Sequence, residues 1–520
     1  MLKTGPWRWV ALAVIVLGAL LLRTHDLSRI FLWLDETDMF NEYVYGDHPK
    51  SLVDFALTTR NTTTVTWGWP AVIWIVTKLF GPTVGVARMP TVIASTLGVL
   101  LIFVLVYHLL PRDYNGNRVF PALFAAGLAA ISMPQLEYAQ RTYPYGVTPC
   151  LAAAILLAHF EVLRAASDGW KYSPRMIRAV ALYTAVVSIA LCIHASLAFL
   201  PAISALILAF GAIQDVRRQP WEQKGKLLAL AAGAGSVLFV VALLNAKNPK
   251  FGFRPYLTQY YEPVAFKSIP KLLGHAYDLA TYHLNLFYNP ALYWPERLNI
   301  VLLPLVAICI LGWSAAALGK FGLGPRRLAL LGLAMLATTA VLSLVKVFPF
   351  GGVRQSLFFN PFFLIFTALG FYSFRFYPAT RIVGTVAATA YLALWAVNLP
   401  RFYQERQTAY TADDLVSAWT QTGKLPVYAR ECEREIRYEL RAHPEIQVNT
   451  LPKISTPPYL LITTHHWIGD NTWFSGFPEY LESAGYKATI VKQAPGLHLD
   501  SRSQSLYFPA NGLWIYKITQ

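Results

Sequence analysis

Charge is scarce in this chain. Only 14% of its 520 residues are Asp, Glu, Lys or Arg, against about 25% in ordinary soluble domains. Cysteine is scarcer still: of four, Cys150, Cys192 and Cys309 fall inside apolar runs and only Cys432 lies in a polar stretch. Neither a disulfide framework nor a cysteine metal motif is visible, and these thiols read as packing residues. Internal repeats and low-complexity segments are also missing. Together these shortages exclude a secreted disulfide scaffold, a disordered chain and a soluble enzyme.

What the chain has instead is apolar surface, with 55% hydrophobic residues and a mean hydropathy of +0.41. Uncharged apolar runs long enough to cross a bilayer recur from the N-terminus to about residue 398. They predict an α-helical polytopic membrane protein of eleven spans. These lie near 7–22, 84–110, 119–133, 146–163, 179–196, 198–213, 227–245, 298–318, 328–345, 357–374 and 382–398. The first run is followed by no small-residue cleavage site and reads as a retained span.

The 44 basic residues exceed the 28 acidic ones, giving +16. With the N-terminus in the cytoplasm, alternate loops carry seventeen basic residues, while the first outside loop is acidic. That asymmetry follows the positive-inside rule, places the C-terminus outside and explains the net charge without a nucleic-acid partner. Pro70–Phe80 is too short to span and is expected to lie in the interface or to dip in and out. The aromatic-rich loop 246–297 suits short helices at headgroup depth.

After Asn398 the composition turns polar. The pattern there predicts a small extracytoplasmic α/β domain over 399–520. Helices are expected at Ala412–Thr422 and Arg430–Ala442. Strands are expected at Leu425–Ala429, Ile446–Leu451, Tyr459–Thr464, Tyr486–Lys492 and Leu513–Ile518. The membrane part, 1–398, presents outer loops at 23–83, 134–145, 246–297 and 346–356 as the places for a site.

An ion-coupled carrier keeps ionisable residues near mid-membrane. Here they gather in outside loops, which points to chemistry at the outer membrane face. The densest group is Trp33-Leu34-Asp35-Glu36-Thr37-Asp38, where adjacent carboxylates beside Trp33 and Phe40 supply a base of raised pKa. Capping of a short helix in an acidic loop is the competing structural reading. The second outside loop, residues 134–145, packs Glu137, Gln140, Arg141, Tyr143 and Tyr145 together, suited to a polar ring-shaped ligand. An interfacial tyrosine belt with a Glu137 to Arg141 helical pair is the simpler alternative there. In the last outside loop Lys346 and Arg354 flank Gly351-Gly352, two cations and close backbone amides suited to a phosphate. A plain loop with a snorkelling arginine competes. His194, the His465-His466 pair with Asp470, and the sequon Asn61-Thr62-Thr63 carry weaker signals.

The order of "WLDE", "TWGWPAVIWIVTKLFG", "ARMPTVIASTLGVLLIFVLVYHLL", "YAQRTYPYGV" and "FPFGGVRQSLFFNPFF" over residues 7–400 resembles the GT-C glycosyltransferases. The nearest branch is the protein O-mannosyltransferase and aminoarabinose (lipid A) transferase group. The resemblance implies a membrane enzyme that moves a sugar from a polyprenyl-phosphate-linked donor to a glycan, lipid or protein acceptor at the outer face of the cytoplasmic membrane. Asp35 takes the family's catalytic acidic position, with Glu36 as its neighbour. The family's second-loop pattern runs Tyr-Ser-Gln-Glu-Ala-Arg-x-Tyr. Tyr138, Gln140 and Tyr145 match it, Arg141 stands at the acid and Tyr143 at the arginine, and Glu137 is the substitute acid one turn earlier. On this reading Asp35 activates the acceptor, Arg354 and Lys346 stabilise the departing phosphate, and attack inverts the anomeric centre. A divalent cation, Mg or Mn, is admitted by the resemblance, although no ligand spacing demands one. A transporter or flippase of lipid-linked sugars, or a surface-polysaccharide ligase or polymerase, are the alternatives.

Overall fold

The computed structural model describes residues 6–28, 36, 39–44, 51–58, 65–111, 118–167, 169–246, 269–285, 299–351, 354–374, 378–404, 412–430, 436–437, 439–450, 457–463, 485–494 and 513–519. The chain divides into two compact units. The first holds residues 1–25, 49–286 and 299–393, and the second 26–48, 287–298 and 394–520.

The first unit is helical. It opens with α1 (Trp7–Thr24), α2 (Leu52–Thr58), α3 (Gly68–Phe80), α4 (Val84–Leu109), α5 (Val119–Ile131) and α6 (Met133–Ala139). It continues with α7 (Thr148–Ala165), α8 (Pro174–Ile193), α9 (Phe199–Arg218), α10 (Trp221–Ala246) and α11 (Ile269–His283). Then follow α12 (Asn299–Ala317), α13 (Leu323–Leu344), α14 (Asn360–Ser373) and α15 (Pro378–Gln404), of which residues 378–393 belong to this unit. Among the described residues nine helices are long and apolar enough to cross a membrane, and the α5–α6 pair, bent by 54°, makes a tenth if taken as one span. The remaining predicted span is α12, whose described part, Leu302–Ala317, is a shorter apolar helix. The short run before α4 forms α3, which its 13 residues leave too short to cross.

α1 shows how the sequence assigns faces. Val10, Val14, Leu17 and Leu21 form one exposed apolar stripe, while Leu12, Ala19 and Arg23 face the bundle. Exposed aliphatic stripes on helices of this length match a lipid surround. The centre of the unit is α14, which is buried along nearly its whole length. It meets α12 through Gly312 and Gly370, where an added Cβ would stand 1.9 Å from the Phe366 carbonyl oxygen and 2.0 Å from that of Ile308. Only glycine permits that approach, as at other membrane helix crossings.

In the second unit, α16 (Ala412–Gln421) precedes β1 (Val427–Arg430), β2 (Val448–Thr450), β3 (Tyr459–Thr463), β4 (Lys487–Ala494) and β5 (Leu513–Thr519). The sheet runs β2-β1-β3-β5-β4, with β1 parallel to β2 and β3, and β5 antiparallel to β3 and β4. Alternation along β3 sends Leu460 and Ile462 into a core with Leu415, Ala418 and Ile515, while Tyr459 and Leu461 pack with Tyr516 and Ile518 on the other face. The mixed α/β domain expected after the last span is present. Of the charged helix expected over 430–442, the described part ends in a 3₁₀ turn, Leu440–Ala442. The His465-His466 and Asp470 group and the sequon at Asn61 lie outside the described residues.

Candidate active site

The second loop, expected at the interface, is enclosed by protein. Every residue from 132 to 150 is buried. Glu137 is 4% exposed, Arg141 3% and Gln140 fully buried, and Tyr138, Tyr143 and Tyr145 are buried beside them. This replaces the tyrosine-belt reading, since rings at a lipid interface keep one edge outside. The helix α6 stops at Ala139, and Arg141 follows it in a turn in which its backbone N–H donates to the Tyr138 carbonyl at 3.3 Å.

Local chemistry explains the shape. Tyr143 precedes a proline and is extended (φ −83°, ψ 143°), after which Pro144–Gly146 makes a 3₁₀ turn. Gly146 lets the loop close on itself, since a Cβ there would lie 2.4 Å from the Tyr138 carbonyl oxygen. Three helices hold the loop's backbone and side chains. Thr91 Oγ1 of α4 donates to the Arg141 carbonyl at 2.7 Å, and Trp69 Nε1 of α3 to that of Thr142 at 2.7 Å. Gln140 Nε2 reaches the end of α1, donating to the His25 carbonyl at 3.0 Å and the Leu22 carbonyl at 3.2 Å.

Tyr145 is the hub. Its ring lies 5.5 Å from Tyr138, 5.1 Å from Tyr143 and 5.0 Å from His194. The Arg354 guanidinium sits 5.0 Å from the same ring centroid, a cation–π contact that places the last outside loop against the second. Arg354 opens the buried 3₁₀ segment Arg354–Phe359 that leads into α14. The structure therefore brings together Arg354 and the second-loop residues that the sequence proposed separately. Lys346 does not join Arg354 in burial: it is exposed, in a left-handed conformation (φ 59°) just past α13.

Several buried polar residues at this end were passed over in the sequence. Arg88, in the first turns of α4, is fully buried, and a buried arginine in an apolar helix is itself a functional signal. Arg23 is fully buried too, donating to Ser95 Oγ at 2.8 Å and to the Ala19, Ala129 and Ala130 carbonyls at 3.1 Å, which makes it a clamp between α1, α4 and α5. Gln135 Nε2 donates to Asn360 Oδ1 at 2.5 Å, and Asn360 Nδ2 to the His283 carbonyl at 3.4 Å, tying α6, α14 and α11. His283 stacks on Phe363 at 5.1 Å, and burial pushes its pKa down to about 3. His194, a weaker signal in the sequence, lies in the turn between α8 and α9 and is likewise pushed down to about 3, first by burial and then by the Arg354 charge.

Asp35 lies outside the described residues. Glu36 is fully buried and belongs to the second unit. Among the described residues no three His, Cys, Asp or Glu side chains are placed to hold a metal ion, so the Mg or Mn admitted by the resemblance has no ligand set among them. A cavity of about 520 Å³ lined by Phe120, Phe124, Phe371, Tyr372 and Thr385 lies at the opposite ends of α5 and α14 from this cluster.

No protein-family model matches the sequence, and no curated protein does. Solved structures do. Apo ArnT from Cupriavidus metallidurans is similar with a TM-score of 0.51 at 13% identity, over 98% of this chain and 97% of that one. The apo oligosaccharyltransferase of Archaeoglobus fulgidus matches with a TM-score of 0.50 at 12% identity, over 94% of this chain and 70% of that one. The fold is that of the GT-C membrane enzymes. The resemblance seen in the sequence over residues 7–400 thus holds for the fold.

Proposed function

We propose that the chain is a membrane glycosyltransferase that moves a sugar from a polyprenyl-phosphate-linked donor to a glycan, lipid or protein acceptor at the outer face of the cytoplasmic membrane. The N-terminus lies inside and the sheet domain outside. The observation that carries the reading is the burial of Arg354 against Tyr145 within the enclosed second loop, on a GT-C fold. A buried guanidinium facing tyrosines with Glu137 and Arg141 nearby in sequence is a setting for an anion and a sugar ring, not for a lipid-facing surface.

In the reaction, Asp35 takes a proton from the acceptor hydroxyl or amine as that atom attacks the anomeric carbon. The bond from that carbon to the phosphate oxygen breaks, and its electron pair leaves with the lipid phosphate. Arg354 meets the charge that develops on that oxygen, with exposed Lys346 contributing at longer range. One displacement opposite the leaving group inverts the anomeric centre. Glu36 serves the catalytic step as the neighbour of Asp35, and Glu137, Gln140, Arg141, Tyr143 and Tyr145 bind and orient the substrates.

The test is release of polyprenyl phosphate from a panel of polyprenyl-phosphate sugars in membranes holding the full chain. The expected result is consumption of one donor with acceptor-dependent release of the lipid phosphate. Movement of intact donor across the membrane without release would replace this reading with a transporter.

A further inference from the structure

The turn between α8 and α9 carries a side chain that the mechanism above leaves unused. His194 ends α8 with extended backbone (φ −153°, ψ 122°) and is fully buried. Its Nδ1 receives the backbone N–H of Ser196 at 3.3 Å and lies 2.6 Å from Ser196 Oγ. A backbone amide can only donate, so Nδ1 is the acceptor and carries no proton. The ring's single proton then sits on Nε2. That Nε2 is buried and has no hydrogen-bond partner among the described residues.

A buried donor without an acceptor is costly and is rarely kept without a use. The neighbouring Tyr145 ring has its centroid 5.0 Å from that of the imidazole, and an aromatic ring is a much weaker acceptor than an oxygen. Tyr145 is also the ring over which Arg354 lies. A fixed neutral donor and a guanidinium therefore border one aromatic ring, and the group that accepts from both is an anionic oxygen.

We infer that His194 binds the donor's phosphate through Nε2–H, so that the leaving group is held by both His194 and Arg354, which border the same Tyr145 ring. This rests on the proposed reading of the site as one for a lipid-linked phosphate, and it gives His194 the second position that Lys346, being exposed, does not fill. The binding is to the phosphate oxygens, not to the sugar or the prenyl chain.

Equilibrium binding to the purified full chain in detergent separates the two claims, with undecaprenyl phosphate and undecaprenol as probes. The wild type is expected to prefer the phosphate at least tenfold. His194→Gln, whose amide nitrogen can stand at the Nε2 position, is expected to keep that preference within threefold. His194→Asn and His194→Phe, which place no donor there, are expected to lose at least tenfold for the phosphate and nothing for undecaprenol. Melting temperature screens out variants that fail to fold, and the Gln variant decides if the other two do. Equal phosphate binding by wild type, Asn and Phe variants, or a Gln variant as weak as Phe, would overturn the role of His194 and leave the proposed function standing. A wild type that binds both lipids alike would remove the phosphate site itself.

Discussion

At the scale of single residues, the cluster around Tyr145 makes two predictions. Arg354→Ala removes both the cation and its stacking on the ring, and turnover of the lipid-linked donor is expected to fall by roughly 100-fold or more. Arg354→Lys restores the charge without the planar fork and should recover only part of the loss, read as kcat/KM for the donor. The second concerns pH. His194 and His283 have folded pKa values of about 3, below the ordinary 6.5. The unfolded chain therefore binds more protons than the folded one between those values, so stability is full above about pH 6.5 and declines as pH falls toward 3. The melting temperature of the detergent-solubilised protein should drop through that window, and His194→Gln should flatten the slope. A wild-type melting temperature that stays level from pH 7 to 4 would show that these rings are not held neutral.

At the scale of elements, the crossing of α12 and α14 is the most constrained contact in the helical unit. Gly312→Val or Gly370→Val drives a side chain into a carbonyl oxygen and should cost about 3 kcal/mol or more, seen as lost yield and lower melting temperature. Gly233→Ala on α10, with nothing within 4 Å of its added Cβ, should be neutral. The helices were legible because span length and hydropathy suffice to mark them, and the sheet domain because alternation such as Tyr459 to Ile462 marks a two-faced strand. The end of α5 was legible, since the apolar run stops at Pro134, but the continuation of the chain as a second, bent helix was not: what holds α6 is a pair of tertiary anchors, the Asn285 carbonyl that accepts from Met133 N–H at 3.1 Å, and Gln135 bonded to Asn360. Arg354 and the second loop could be named as candidates from residue types alone, but their meeting over Tyr145 joins positions about 200 apart, and no local pattern records that. Arg88 was readable as an arginine inside an apolar helix. Neither Arg23 nor His194 shows its use until its hydrogen bonds are seen.

At the scale of the whole molecule, the charge asymmetry of the loops supports the proposed arrangement in the membrane, with the N-terminus inside and the sheet domain outside. A cysteine placed at Asn449 in β2 should be labelled by an impermeant maleimide in intact cells, and one at Glu222, at the start of α10, only after permeabilisation; the reverse pattern would invert the topology. The central claim is that this membrane fold breaks a sugar–phosphate bond with Asp35 as base. Its most direct test compares wild type with Asp35→Asn in membranes, following polyprenyl phosphate released from the donor that wild type consumes, with detergent-extracted yield as the check on folding. The account predicts release by wild type and at least a 100-fold loss in a well-folded Asn variant. Equal release by both would contradict it, and would move the base from Asp35 to Glu137.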